Sequence, residues 1–467
     1  MPSLRSLLLW GPLTVLAVSV PKAPYARRNV TAWPLPEPVD TPPVDPKSLL
    51  WNAFQLPRPS QDPFYKPPPG WEAAPPGTVL GIRHNAYKGP ANFPNYYTTM
   101  QVLFRTTDSH QRPSYGASII YMPTRHKKCA ESFRNSTLTP QQLNCSHAIL
   151  SYHLPYDTSC FDASLSFGLQ RGEPYGEIEI ALRRGWVVAV PDYEGPRASY
   201  GANILAGYTI LDSFRALRAM LGNYGVRIGP DTRMAMWGYS SGGTATEFAA
   251  ELAATYAPEL QLHGAVVGGM TGNMSASLDL VNGHDVAGLF IQGLLGLTME
   301  YPEQRAFLNS RLKKTGQFNQ SEFYLASYMS GMDSLRYFSY HNVYEYFING
   351  KADVYHPTMM IPFELEGIGG LQGTPNMPVM FYQSVNDEMC PIEFLDPVVK
   401  KLCANGANIW HQRNALGNHN LEGTNGRQRS LNFLGDVLDN TNVSGRPLKG
   451  CKIEDVIVDQ SLLVPFY

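Results

Sequence analysis

Charge is scarce in this sequence, and neither sign dominates. Only 16% of the residues are charged, and 37 lysines and arginines stand against 39 aspartates and glutamates, for a net charge of −2. No block of like charges occurs along the chain. Proteins that bind nucleic acid or anionic membranes through charge carry basic patches. The composition therefore argues against a nucleic-acid partner.

Long hydrophobic runs are equally rare. One uncharged run, residues 6–20, follows a basic residue near the N-terminus and contains Gly11 and Pro12. It is too short and too interrupted for a membrane anchor. Its last residues, Ala-Val-Ser at 17–19, place small side chains at the −3 and −1 positions of a cleavage site. We predict a signal peptide over residues 1–19 and a secreted protein.

Cysteines are few, and the spacings of the six match no zinc-binding pattern. An even number in an oxidising compartment predicts structural disulfides instead, although six cysteines allow about fifteen pairings. The pairs that we expect are Cys403 with Cys451, Cys129 with Cys145 and, by elimination, Cys160 with Cys390. The first pair would brace the C-terminal strand-loop-helix unit that its cysteines flank.

Six sequence motifs for N-glycosylation agree with secretion. They are Asn29, Asn135, Asn144, Asn273, Asn319 and Asn442. Because such short motifs also arise by chance, they add modest weight to that expectation.

Proline is concentrated near the N-terminus. Residues 21–76 hold 16 of the 38 prolines. This density excludes regular helix and central strand. We therefore assign residues 20–79 to an extended, proline-rich N-terminal extension.

From about residue 80, short apolar runs rich in β-branched residues alternate with helical stretches. The predicted strands are 101–105, 117–121, 148–152, 186–190, 234–237, 264–267, 379–382 and 408–410. The predicted helices are 175–184, 210–222, 243–256, 392–404 and 426–437. This alternation indicates an α/β fold with a mostly parallel sheet and helices on both faces.

The alternation stops between residues 268 and 378, where no clean strand occurs. Residues 286–301 are mostly apolar, and residues 321–347 carry nine aromatic side chains. A helical subdomain with its own core explains this composition, and so does a cap over an active site, since a cap also needs a core. We predict core segments at 80–270 and 371–467 and an inserted helical cap at 271–370.

Residues 238–242 (Gly-Tyr-Ser-Ser-Gly) match the G-x-S-x-G motif. The motif alone is weak, with a chance expectation of roughly 0.2 in this chain. Here an apolar strand precedes it and a good helix follows it, as a nucleophile on a strained strand-to-helix turn requires. Ser240 is the predicted nucleophile, and the N–H of Ser241 is a predicted oxyanion donor. A Gly-Ser turn that merely caps a helix is the alternative.

Such a serine needs a base and an acid, in the chain order Ser, Asp or Glu, His. Asp387 follows an apolar strand in a loop where an orienting carboxylate belongs, and Glu388 is its rival. His419 lies in a loop after the last predicted strand and is favoured as the base over His411. We predict the triad Ser240, Asp387 and His419.

With these residues the chain, from about residue 80 onward, resembles the fungal secretory lipases of the α/β-hydrolase fold. The resemblance rests on Tyr156-Asp157, on residues 191–196 (Pro-Asp-Tyr-Glu-Gly-Pro), 211–216, 238–243 and 403–408, on Asn386-Asp387 and on His419. It implies a large helical cap and a second oxyanion donor, the N–H of Asp157. A disulfide tethering the cap is expected in the family, but this cap contains no cysteine.

The function that we expect is hydrolysis of a hydrophobic carboxylic ester through an acyl-enzyme, without metal or organic cofactor. A triacylglycerol lipase, acting at a lipid–water interface, is favoured by the apolar cap. Family members that deacetylate fungal metabolites such as trichothecenes supply the main alternative. A serine peptidase and a non-catalytic binding protein are further alternatives.

Overall fold

A computed structural model describes residues 57–84, 96–124, 148–170, 176–447 except 225, 227 and 230, and 449–460. The predicted signal peptide, most of the extension, Cys129, Cys145 and the sequons at Asn29, Asn135 and Asn144 lie outside these residues. The described end of the extension forms two single 3-10 turns, Pro63–Tyr65 and Trp71–Ala73. Tyr65 is buried in a small apolar cluster.

Ten strands among the described residues form one sheet in the order β1-β2-β3-β5-β4-β6-β7-β8-β9-β10. The strands are β1 Val79–His84, β2 Tyr96–Thr107, β3 Pro113–Pro123, β4 Ile149–His153, β5 Val187–Pro191, β6 Met234–Tyr239, β7 Gly264–Gly268, β8 Val379–Ser384, β9 Ile409–Asn414 and β10 Cys451–Val456. All neighbours from β5 through β10 run parallel, and the first three strands are antiparallel. The predicted α/β-hydrolase fold with a mostly parallel sheet is confirmed.

The central strands form because they are runs of mostly apolar residues. Every residue of β4, β5 and β7 is buried, as expected for parallel strands with helices on both faces. All eight predicted strands lie within or overlap observed ones. The sequence analysis missed β1 and β10.

Seven described helices accompany the sheet outside the segment between β7 and β8. They are α1 Leu165–Gly168, α2 Gly176–Arg183, α3 Asn203–Met220, α4 Ser241–Tyr256, α12 Ile392–Ala404, α13 His419–Asn425 and α14 Arg427–Leu438. Helix α3 begins seven residues before the predicted start at 210. Its first turns are buried, and Gly207 lets it approach α4 closely, since a Cβ there would lie 3.1 Å from the Ala249 nitrogen.

Seven further helices lie between β7 and β8, where the sequence predicts a cap. They are α5 Met274–Val281, α6 Gly288–Leu297, α7 Pro302–Arg311, α8 Gln320–Phe323, α9 Gly331–Tyr337, α10 Lys351–Val354 and α11 Pro357–Glu366. Buried side chains of this segment form a separate apolar cluster that includes Phe290, Phe323, Phe338 and Tyr346. No described helix is both long and apolar enough to cross a membrane.

Two buried carboxylates fasten this helical segment to the sheet domain. Glu300 forms an ion pair with Arg197 at 2.8 Å. Glu366 accepts a hydrogen bond from the backbone N–H of Ile204 at 2.7 Å. Ionisable side chains near the beginning and at the end of the segment therefore connect it to the sheet domain.

Candidate active site

Ser240 lies at the sharp turn between β6 and α4. Its backbone has φ +57° and ψ −126°, a conformation that is rare for a residue with a side chain. The flanking glycines are required there. A Cβ on Gly238 would lie 2.0 Å from the Gly242 carbonyl oxygen, and a Cβ on Gly242 would lie 2.0 Å from the His153 oxygen. The motif thus builds the strained turn that holds the hydroxyl clear of the sheet.

His419 joins Ser240 to Asp387. Its Nε2 lies 3.0 Å from the Ser240 Oγ, and its Nδ1 lies 2.8 Å from the Asp387 Oδ2. Both His419 and Asp387 are almost fully buried. Because a carboxylate only accepts, Nδ1 carries the proton of the neutral ring, and in that form Nε2 has a lone pair for the serine hydroxyl. The structure thus brings the three predicted triad residues together.

The loop after β8 fixes the Asp387 carboxylate. Its Oδ1 accepts the backbone N–H groups of Met389 at 3.1 Å and Cys390 at 2.7 Å. The rival acid, Glu388, lies beside the same histidine but contacts its backbone, accepting the His419 N–H at 3.0 Å. Asp387 therefore orients the ring, and Glu388 holds the chain that carries it.

The rival histidine, His411, lies elsewhere. It is buried within β9, and its Nδ1 is 3.7 Å from Asp396. Burial lowers the pKa of His411 to about 3, with Arg413 adding to the effect. It is a neutral core residue rather than a partner of Ser240.

The environment of His419 raises its pKa well above the ordinary value. Burial lowers this pKa, but the neighbouring Cys390 and Asp387 raise it more. Tyr239 adds a further contact, since its hydroxyl donates to the His419 carbonyl at 2.5 Å. This tyrosine occupies the variable position of the serine motif, so the sequence offered no signal for its contact with the histidine.

Asp157 faces the same turn from the loop after β4. It has φ +45°, in the left-handed region. Its carboxylate accepts a hydrogen bond from the Ser241 hydroxyl. Burial raises the pKa of Asp157, although the Ser241 bond and His419 lower it. The two residues predicted to donate N–H groups to an oxyanion are therefore in contact with each other.

An apolar pocket of about 50 Å³ opens beside Ser240. Its walls include Met274, Leu278, Val281 and Leu289, which come from the helical segment between β7 and β8. The aliphatic lining is suited to a hydrocarbon group joined to the atom that Ser240 attacks.

The cysteines follow the predictions only in part. The structure joins Cys403 of α12 to Cys451 of β10 by a disulfide, the expected pair. The predicted bond between Cys160 and Cys390 is wrong, because both are buried free thiols. Cys390 lies in the Asp387 loop with its Sγ 3.2 Å from Thr271 Oγ1, and Cys160 lies in the loop after β4. The pair was predicted by elimination, without knowledge of where these two loops lie in the fold.

The three described sequons differ in their surroundings. Asn442 is exposed. The side chains of Asn273 and Asn319 cap α5 and α8 by accepting backbone N–H bonds, and both are partly exposed. Glycosylation of these residues stays a prediction.

Comparison with known proteins identifies relatives of this chain. A family model for secretory lipases matches residues 170–445. The chain is 36% identical to the trichothecene C-3 esterase of Fusarium sporotrichioides, over 85% of this chain and 88% of that protein. It is 33% identical to lipase A of Arthroderma benhamiae, over 87% and 84% of the two chains.

Among solved structures, Candida antarctica lipase A in its closed state has the same fold. The TM-score is 0.73 at 23% sequence identity, with 86% of this chain and 91% of the other covered.

Proposed function

Because this chain belongs to the secretory lipase family and is a carboxylic ester hydrolase of the lipase and esterase class, we propose that Ser240, His419 and Asp387 are its catalytic triad. The observation that carries this proposal is the position of His419, hydrogen-bonded on one side to Ser240 Oγ and on the other to Asp387. Few structural roles require a buried imidazole to join a strained serine to a carboxylate.

The geometry supports the following reaction. The Ser240 oxygen attacks the ester carbonyl while Nε2 of His419 takes the hydroxyl proton. Asp387 keeps the ring in the required tautomer and stabilises the imidazolium. The backbone N–H groups of Ser241 and Asp157 stabilise the oxyanion. The imidazolium then protonates the departing alcohol, and water hydrolyses the acyl-enzyme by the reverse proton path.

The pocket beside Ser240 supports a hydrophobic acyl group. Each methylene of an acyl chain buried against its aliphatic walls contributes roughly 0.8 kcal/mol to binding, which favours the acyl esters of lipids. We therefore propose a secreted lipase as the first candidate.

A deacetylating esterase is the second candidate, and the pocket volume favours it. A cavity of about 50 Å³ holds roughly four water-sized groups, enough for a short acyl chain. The identity of 36% with a trichothecene C-3 esterase points the same way. A panel of esters from acetyl to long acyl, with a triglyceride emulsion, separates the candidates. Activity that peaks at acetyl and spares the emulsion rejects the lipase.

The triad is tested by labelling with an organophosphonate ester and by Ser240→Ala. We expect the phosphonate to modify Ser240 and the substitution to remove nearly all hydrolysis. Ser241→Ala is the matched control, because it keeps the adjacent backbone N–H and should still be labelled at Ser240. Modification of another serine, or full activity in Ser240→Ala, contradicts the proposal. An amide analogue of the best ester tests the peptidase alternative.

A further inference from the structure

A free thiol lies against the proposed triad. Cys390 is 6% exposed, and the backbone on both sides of it is fixed. Its N–H donates to Asp387 Oδ1 at 2.7 Å, and its carbonyl accepts from the Gln383 side chain. Its Sγ lies 3.2 Å from Thr271 Oγ1. The reaction proposed above gives this thiol no part.

Asp387, Cys390 and His419 together offer a carboxylate oxygen, a sulfur and an imidazole nitrogen. One such atom from each residue lies within 4.8 Å of the other two. These are the ligand types that Zn²⁺ and Cd²⁺ favour. Around a tetrahedral zinc ion, neighbouring ligand atoms stand about 3.6 Å apart. Asp387 Oδ2 and His419 Nδ1 already lie 2.8 Å apart, so an ion held by both replaces their hydrogen bond and widens that distance, while the sulfur moves toward them by at most about 1 Å.

The chain also provides an approach for the ion. Cys390 and Ser240 both line the apolar pocket beside the nucleophile. An ion that enters through this pocket reaches the sulfur along the route that a substrate takes to the serine. Binding of the ion and of an ester should then compete.

We propose that Asp387, Cys390 and His419 form an inhibitory site for a soft divalent cation such as Zn²⁺ or Cd²⁺. The inhibition rests on the proposed function, because it acts through the base of the triad. The Cys390 thiol releases its proton to solvent as the metal–sulfur bond forms, and nothing is oxidised or reduced.

The imidazole explains why binding stops hydrolysis. A neutral imidazole has one lone pair. If Nε2 holds the ion, its lone pair is used. If Nδ1 holds the ion, the proton moves to Nε2. In either case Nε2 of His419 no longer accepts the Ser240 proton. Mg²⁺ and Ca²⁺ prefer oxygen ligands and should not compete for the sulfur.

The sequence gives no sign of such a site, since the cysteine spacings match no zinc pattern. Two ligands come from the loop after β8 and one from the first residue of α13, after β9, and they meet only in the folded chain. The ion is an inhibitor here and not a cofactor.

The test measures hydrolysis of a short p-nitrophenyl ester against graded ZnCl₂ and CdCl₂ in a non-chelating buffer. We expect inhibition of the natural protein that a chelator reverses and that MgCl₂ does not reproduce. Cys390→Val and Cys390→Ser should raise the half-inhibitory concentration by at least about tenfold, as loss of a ligand requires. Cys160→Ser is the matched control, because it removes the other buried free thiol of the described residues and should leave the inhibition intact.

Direct binding of Cd²⁺, followed by its thiolate absorption band and by calorimetry, gives a second readout. We expect one ion per chain in the natural protein and in Ser240→Ala, and loss of the absorption band in both Cys390 variants. Equal inhibition of natural protein and Cys390 variants, or an unchanged band in those variants, overturns the metal site. If Ser240→Ala stays active while the band still depends on Cys390, the proposed triad fails and the metal site stands.

Discussion

The Glu388 carboxylate accepts the backbone N–H of His419 across 3.0 Å, while the adjacent Asp387 holds the ring of the same histidine. Two consecutive acids thus serve one histidine in different ways. One positions the chain, and the other sets the tautomer of the ring.

This division predicts unequal effects for two isosteric substitutions. Asp387→Asn should lower kcat about 10⁴-fold, because the amide stabilises the wrong tautomer of His419. Glu388→Gln should lower it roughly tenfold or less, because its side-chain carbonyl still accepts the backbone N–H. Steady-state kinetics on a soluble ester measure both values. Equal losses would mean that the roles of the two acids are not distinct.

Asp157 gives a prediction about the oxyanion through its backbone. Asn adopts left-handed conformations readily, whereas a β-branched residue does so only with strain. Asp157→Asn should therefore keep kcat within about tenfold, and Asp157→Val should lower it roughly 100-fold, as loss of an oxyanion donor does. Circular dichroism establishes that both variants are folded. Similar rates in the two variants would indicate that the backbone N–H of Asp157 does not take part in catalysis.

The pocket predicts how acyl preference changes when its wall is cut back. Leu278 is buried in the pocket wall, and its neighbour Leu280 is 44% exposed. Leu278→Ala should raise kcat/KM for longer acyl esters relative to acetyl, by about fourfold for each methylene that the new space accepts. Leu280→Ala is the matched control and should keep the original profile. A common profile for both variants would place the acyl chain outside this pocket.

Glu366 predicts a pH-dependent stability. Its carboxyl accepts from the Ile204 N–H and the Tyr301 hydroxyl, each at 2.7 Å, and burial raises its pKa to about 7. Between the ordinary value of 4.5 and 7 the folded chain therefore holds this proton more tightly than the unfolded chain. The free energy of unfolding should consequently fall by about 3 kcal/mol as the pH rises through that interval.

The substitution Glu366→Gln isolates this effect. The free energy of unfolding of Glu366→Gln, minus that of the natural protein, should increase as the pH rises to about 7 and stay constant above it. Glu364→Gln, on the exposed face of the same helix, is the control and should follow the natural protein. Urea unfolding at several pH values measures all three. A constant difference between Glu366→Gln and the natural protein would show that the carboxyl does not titrate in this range.

The disulfide predicts a loss of stability that reduction reproduces. The bond between Cys403 and Cys451 spans 48 residues, and a loop of this length gives about 4 kcal/mol by the chain-entropy argument. Replacing both cysteines by serine should lower the free energy of unfolding by that order. A reducing agent should destabilise the natural protein by that order more than it destabilises the double variant, and equal destabilisation of the two would contradict this role of the bond. Sensitivity of the double variant to reduction would point to a second bond.

The sequence predicted the parts of the fold that local pattern determines. The buried strands are recognisable because they are continuous apolar runs, as in β5, where all five residues are buried. The edge strand β10 (Cys-Lys-Ile-Glu-Asp-Val) was missed because it is mostly exposed and carries three charges. The helices of the predicted cap are short, and several contain or follow glycine and proline, so periodicity did not reveal their bounds.

The predicted triad came from motif and chain order, but its surroundings depend on loop geometry. Nothing in the order Asn-Asp-Glu-Met-Cys indicates that Glu388 holds the histidine backbone or that Cys390 lies beside the ring. Those contacts arise because the loops after β8 and β9 meet at one edge of the sheet. The wrong partner for Cys160 has the same origin, since long-range proximity was inferred without that geometry.

The bond between Cys403 and Cys451 also decides what happens when a protease cuts the chain. Residues 440–443 are exposed and lie between the two cysteines. A single cleavage there divides the polypeptide into two fragments that the disulfide keeps covalently joined. Strand β10 then stays paired with β9, the strand that leads to His419. A nicked molecule should run as one species on a gel without reductant and as two with it.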